Sequence, residues 1–413
     1  MDDMDMDENN LSNVIAFPLS DEKPKKLLYV LSILRRVCGW LLFLSTLLFI
    51  LSNYTLFTPS SLRTIAEYAV TGMRQHAGSI STIEYGNGSY ADGALCNGGL
   101  AYADSDSLFI QQPGAEPSLR CALGYSAPAV EAQGEYILVF DRGGTKVMLT
   151  TTSSLQTQLE LQSPILNGSI NGDGSFILVT AEQGYRTAIT AYDNHGRETL
   201  QYKSSNYYIV SAALSPDGKL AAALGFRQDG ATLVSRVIFL SMSNGERLTE
   251  IDLPDALGMA LCFLSDNTVA VLCDDGVYYV KGNEAQHLLE ISSNELLAFT
   301  MQNNAFALAV RAYDGKTRSI IYTLRGNTLD EPFPFQGEPS AVAISNAGVA
   351  VLSSSGVVMY DKTFQPLWQN ADAIGASRIL LSNNGQIYAL YTKRASLYYE
   401  HSINSKELNG TNE

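Results

Sequence analysis

The chain has 413 residues, with 27 Lys and Arg against 42 Asp and Glu and a formal charge of −15. This excess of acid argues against a nucleic-acid partner and against docking of the bulk of the chain on anionic headgroups. The length suits one large ring or more than one ordinary domain.

Residues 1–22 begin MDDMDMDENN and hold no periodic apolar pattern, which predicts a disordered acidic tail. Lys23, Lys25, Lys26, Arg35 and Arg36 follow, closing a cytoplasmic tail of residues 1–36. Residues 37–57, VCGWLLFLSTLLFILSNYTLF, are 21 in number and uncharged. At about 1.5 Å per residue such a helix spans a hydrocarbon core of roughly 30 Å. Trp40 and Tyr54 sit near its two ends, where aromatic side chains favour the interfaces. A cleaved signal peptide fits poorly, because the preceding region is long, the apolar core exceeds the usual length and no A-x-A site follows. The five bases flank the N-terminal side, whereas Arg63 and Arg74 are the nearest beyond the span. The positive-inside rule then predicts a cytoplasmic N-terminus and an extracytoplasmic remainder in the cell membrane. Residues 58–78 carry Thr64 and Glu67 at capping-box spacing and Gly78 at the stop, which predicts a juxtamembrane helix.

Beyond residue 78 the chain repeats itself. The clearest copy is LSPDGKLAAALG (214–225), a strand end, a Ser-Pro-Asp-Gly turn and a second apolar strand. Related turns fall near 98, 134, 174, 218, 267, 304, 348 and 385, a mean spacing of about 41 residues. That period, with several short strands in each copy, predicts an all-β ectodomain over 79–403, a β-propeller of roughly eight blades. In each copy a small-residue strand (Leu220–Leu224, Val269–Leu272, Val349–Leu352) precedes an aromatic one (Val277–Val280, Ile320–Leu324, Val357–Tyr360). Small residues suit strands beside a crowded channel, and aromatic or β-branched ones suit the outer strands. The last copy has room for three strands only. Ile80–Tyr85 is strand-like and precedes the first copy, so it is expected to supply the missing outer strand and close the ring. Residues 404–413 read as a polar tail.

Cys262 and Cys273 flank one predicted turn, and Cys96 and Cys121 both fall in the first repeat. Each pair is compatible with a disulfide, and equally with buried thiols acting as small hydrophobes. Their spacing does not fit zinc. The four histidines form no H-x-x-H or H-x-x-x-H pair, and GYSAP (124–128) lacks the last glycine of a nucleophile elbow. Asn171 to Gly174, Asp104 to Asp106 and Asp274-Asp275 offer oxygen ligands, but none completes a calcium loop. No catalytic, cofactor-binding or metal-binding residue is assigned, and no cofactor is expected.

The hairpins LSPDGKLAAALG, ISNAGVAVLSSSGVVMYD and AYDNHGRETL resemble TolB-like, WD40-like and quinoprotein-like propeller repeats. Quinoprotein dehydrogenases carry tryptophan docking motifs, whereas this ring has Trp368 alone. The layout as a whole is similar to an uncharacterised, domain-of-unknown-function family of Gram-positive, largely clostridial bacteria. That resemblance implies a single-pass, membrane-anchored propeller and transfers no catalytic residue. The reading is a non-enzymatic scaffold that binds an envelope protein or wall ligand through its loops. A lyase or hydrolase with a site in the channel, and an envelope sensor subunit, are the alternatives.

Overall fold

This computed structural model describes residues 34–45, 81–85, 92–97, 99–112, 115–253, 255–302, 304–312 and 319–399. The chain divides into two units, Met1–Pro59 and Ser60–Glu413. In the first, residues 34–45 form a helix on which every residue is exposed, including Trp40 at 72%. Among the described residues no helix is long and apolar enough to cross a membrane. Residues 46–57 of the anticipated span, Tyr54, Lys23, Lys25, Lys26, the 58–78 helix and the 404–413 tail lie outside the described residues.

In the second unit each repeat lays down an antiparallel sheet, and the described residues form eight of them. Their innermost strands, in blade order, are Asp92–Cys96, Pro128–Gln133, Ile165–Ile170, Tyr208–Leu214, Gly258–Ser265, Leu296–Gln302, Pro339–Ser345 and Arg378–Leu381. In blade six the outer strand is broken into Thr328–Leu329 and Phe333–Phe335, both paired with Ser319–Arg325. Blade eight takes its fourth strand from the start of the ring: Ser81–Glu84 pairs antiparallel with Arg394–Tyr398. The eight-bladed propeller and its closing strand are therefore as the repeat predicts.

One detail differs. The small-residue strands are second from the axis, not innermost. Thr268–Cys273 and Gly348–Ser353 are buried along their whole length, with sheet on both sides and a blade against each face. Successive side chains of such a strand point to opposite faces, so each strand feeds two clusters. Ile137 and Val139 of blade two pack with Ala101 and Ala103 of blade one, while Leu138 and Phe140 pack with Phe176 and Leu178 of blade three. Between every pair of neighbouring blades lies one such cluster. The last joins Leu380, Tyr388 and Leu397 of blade eight, with Ile83, to Leu100 and Tyr102 of blade one. The core is thus eight wedges arranged in a circle.

The first hairpin of each blade carries the turn chemistry of the repeat. In blade four Ser215 Oγ donates to Asp217 Oδ1 at 2.8 Å and accepts from Leu220 N at 2.9 Å. Gly348 opens the second strand of blade seven at φ 150°, where a Cβ would meet Tyr360 O at 2.0 Å, so only glycine fits. These hairpins link around one end of the ring, the turn end: Asp217 N donates to Asp266 Oδ1 at 3.1 Å and Asn346 N to Asn383 Oδ1 at 3.3 Å. Ser81 opposes Leu397, and Tyr398 opposes Ile387 just past the last first-hairpin. The chain therefore joins the ring and leaves it at the turn end.

Candidate functional site

At the other end the inner strands begin, and there the axial channel opens in a mouth. Five of the eight inner strands start with a β-bulge, between Ile165/Asn167, Ile209/Ser211, Gly258/Ala260, Leu296/Ala298 and Pro339/Ala341. The extra residues are Leu166, Val210, Met259, Leu297 and Ser340. A bulge re-aims the side chain it adds. Its origin in two blades is a buried hydroxyl on the preceding blade. Thr187 Oγ1 accepts from Ile209 N at 3.1 Å and Ser235 Oγ from Gly258 N at 2.9 Å, so an amide at the head of each strand, the second in blade four and the first in blade five, bonds to the preceding blade.

The result is a lip with two characters. Across blades three to six it is apolar and open to solvent: Leu166 is 38% exposed, Tyr208 44% and Met259 40% at the strand heads, and Phe299, midway along its strand, 45%. Large apolar groups left in water along adjoining strands mark a surface that meets something else. Across blades seven, eight, one and two the lip is polar, with Ser340, Arg378, Asp92 and Glu131 on the inner strands. Arg378 Nη1 donates to Asp92 Oδ1 at 2.7 Å, and Val130 N to Asp92 Oδ2 at 3.0 Å. The Glu131 side chain is exposed to solvent, although its strand lies on the inside of the ring. Desolvation by the surrounding ring, helped by Asp92, raises its carboxyl to about 7, against the pull of Arg378 and Arg142.

The hairpins joining second to third strands surround the lip at the same end. In blade three Arg186 lies over the Tyr208 ring at 4.5 Å and donates to its hydroxyl at 2.5 Å. In blade four Leu220–Asp229 and Thr232–Ser241 are ten residues each, and the inner strand stops pairing at Phe226 and the outer one at Ser235. Residues 227–234 therefore stand clear as a two-stranded ribbon. In blade five Tyr278 donates to Asp275 Oδ2 at 2.6 Å and stacks on His287 at 4.4 Å. Burial, with Asp275 beside it, pushes the Tyr278 hydroxyl up.

The cysteines of the ring are free thiols. Cys273 packs in the cluster between blades four and five, whereas Cys262 lies against the cluster between five and six, so one sheet separates them. Cys262 opposes Ala270 and Cys273 opposes Gly258. Cys96 is on the innermost strand of blade one and Cys121 on the outermost, with two strands between. Neither pairing weighed from the sequence forms. Burial pushes the Cys96 and Cys262 thiols up to about 12 and raises Cys121 and Cys273 as well. The acidic turns are engaged with their own backbone: Asp104 Oδ1 accepts from Asp106 N and Ser107 N, and Asp173 Oδ1 from Ser175 N. Among the described residues no three His, Cys, Asp or Glu gather as a metal site. Sequence reasoning passed over the lip residues. Adjacent Tyr207 and Tyr208, and Met259 at the head of a strand, were the visible signals, but a bulge leaves no mark in composition.

The profile of a family of unknown function, DUF5711, matches residues 97–367, well over half of the chain. The chain belongs to this family. The DUF5711 match opens after the innermost strand of blade one and ends within the outer strand of blade seven, Pro366–Asn370. No curated protein matches the sequence. Among solved structures, Sqt1 of Saccharomyces cerevisiae is similar over 78% of this chain and 99% of its own, at 10% identity and a TM-score of 0.54. The computationally designed Ika8 protein is similar over 78% and 100%, at 16% identity and 0.56. The C-terminal WD40 domain of Sif2 is similar over 78% and 98%, at 14% identity and 0.53. At these identities the likeness shows the fold of this DUF5711 chain and nothing of its ligand.

Proposed function

We propose that the ring is a non-enzymatic binding scaffold whose site is the channel mouth. In this reading the apolar segment 37–57 anchors it in the cell membrane, the N-terminus is cytoplasmic, and the ring receives an envelope protein or wall ligand outside. The observation that carries the reading is the solvent-exposed apolar arc Leu166, Tyr208, Met259 and Phe299 on four successive inner strands, set beside a charged arc. A rigid rim with an apolar half and a polar half is the usual make-up of a binding concavity. The tether joins the ring at the turn end, so the mouth is at the end away from the point of attachment. The uncharged residues 37–45 of the exposed helix 34–45, which follow Arg35 and Arg36, support the anchor.

The test places a photocrosslinking amino acid at Met259 in the full-length protein in its native membrane, and at Leu248 on the outer strand of blade four as a control. A discrete adduct from position 259 and none from 248 is the expected result. No adduct from 259, or equal adducts from both, would remove the mouth as the binding site.

A further inference from the structure

We infer that the channel below the lip takes an organic cation, an ammonium group on an apolar body, held between Glu131 and Phe299 on opposite walls. This goes beyond the mouth as a docking surface and names a second, smaller ligand inside the ring. The first observation is the charge of the inner wall. Among the described residues, the eight inner strands carry three charged side chains, Asp92, Glu131 and Arg378. Asp92 and Arg378 neutralise each other as an ion pair at 2.7 Å. Glu131 makes no hydrogen bond or ion pair among the described residues, so it is the uncompensated charge of that wall.

The second observation is what surrounds Glu131. On its own blade the second strand ends in Asp141, followed by Arg142, and Asp141 Oδ1 accepts from Ser126 N and Ala127 N at 2.8 Å. Blade one presents Asp92 and the buried Cys96 thiol on its inner strand and the Tyr102 phenol on its second. The inner strand of blade three, Ile165–Ile170, has no titratable side chain. Arg378 and Arg142 do not outweigh desolvation and Asp92, so Glu131 takes up a proton near pH 7. A carboxylate held in this way gains from a ligand that brings its own positive charge, and such groups gather at functional sites. The third observation is the opposite wall. Blades two and six are four apart in a ring of eight, so they face each other across the axis. Phe299 is the fourth residue of its inner strand, as Glu131 is of its own. An aromatic side chain left in water inside a channel offers a surface to an apolar body, and its ring face attracts a cation. A bare metal ion fits less well, since among the described residues no three acids, histidines or cysteines gather.

The test is calorimetric titration of the full-length protein in detergent with phenylbutylammonium, and with phenylbutanol as the uncharged counterpart of the same body. The ammonium is expected to bind at pH 8, the alcohol to bind about tenfold or more weakly, and the ammonium to weaken by a similar factor at pH 5.5, where Glu131 is protonated. Glu131→Gln should abolish the difference between the two probes, Phe299→Ala should weaken both, and Glu135→Gln at the turn end should change neither. Glu131→Gln removes a charge that the ring desolvates, so it should melt no lower than the parent at pH 8, which separates lost binding from lost folding. A blocked peptide containing Lys-Phe that binds with the same dependence on Glu131 would make the cation a lysine of a protein segment; binding of phenylbutylammonium alone would make it a free amine. No binding of the ammonium, equal binding of ammonium and alcohol, or undiminished binding to Glu131→Gln overturns the inference. The adduct expected from Met259 does not depend on Glu131, so the docking surface and the channel site stand or fall separately.

Discussion

At the seam of the ring one carboxylate serves three blades. Asp92 of blade one accepts from Arg378 of blade eight and from the backbone of Val130 in blade two. Glu131 stands next to it without such a partner, and partial desolvation inside the ring, with Asp92 beside it, raises its carboxyl from 4.5 to about 7 although the side chain is exposed. The folded ring therefore holds this proton more tightly than the unfolded chain. Stability falls as pH rises from about 4.5 to about 7, and the cost is fully present above that. Glu131→Gln should raise the melting temperature at pH 8 and change little at pH 5. Because the side chain still meets water, the gain is on the order of 1 kcal/mol rather than the full shift. A variant no more stable at pH 8 than the parent would show that Glu131 is fully solvated. None of this was visible in the sequence, where Glu131 is an acid within VEAQGEY. The cysteines illustrate the same limit. Spacing around a turn left disulfides and thiols level, and only the face on which each residue packs separates them.

At the scale of elements, the hairpins were legible because each turn must recruit residues that supply its hydrogen bonds or its positive φ. Ser215, Asp217 and Gly348 do so at the positions the repeat marks. The small residues fall on an inner strand as the repeat suggests, but on the second from the axis rather than the one beside the channel. Crowding is greatest where a strand has sheet on both sides and a blade on each face, and that is the second strand. The bulged starts of the inner strands were hidden, since their cause lies on the preceding blade. Thr187 Oγ1 is buried, donates to Tyr207 O at 3.1 Å and accepts from Ile209 N at 3.1 Å. Thr187→Val keeps the shape and strands that amide. It should cost roughly 1–3 kcal/mol in urea unfolding, with a midpoint shift at unchanged slope. A midpoint equal to that of the parent would mean that the amide finds another partner.

For the molecule as a whole, period alone predicted the number of blades and the source of the final strand, because a ring can close only if one end of the chain completes the sheet that the other leaves short. Deleting residues 79–85 from the full chain removes that strand together with the buried side chains of Ile83 and Tyr85. The melting temperature should then fall by on the order of 5 °C, and the bared edge at Arg394–Tyr398 should promote self-association. A variant that melts and sediments like the parent would mean that the ring does not need its closing strand. What lay beyond the sequence was the division of the mouth into two arcs, since that depends on which blades stand side by side around the axis.

The closing strand also decides how the ring bears force. Ser81–Glu84 and Arg394–Tyr398 lie antiparallel with both chain ends at the turn end. Tension on the N-terminal segment along the ring axis runs lengthwise through the first strand, so its ladder bonds share the load in shear. Tension that draws the two ends apart reaches the same pair at Ser81 and Leu397 and breaks its bonds in succession. The ring is accordingly stiff toward its own tether and yields to a pull that sets one terminus against the other.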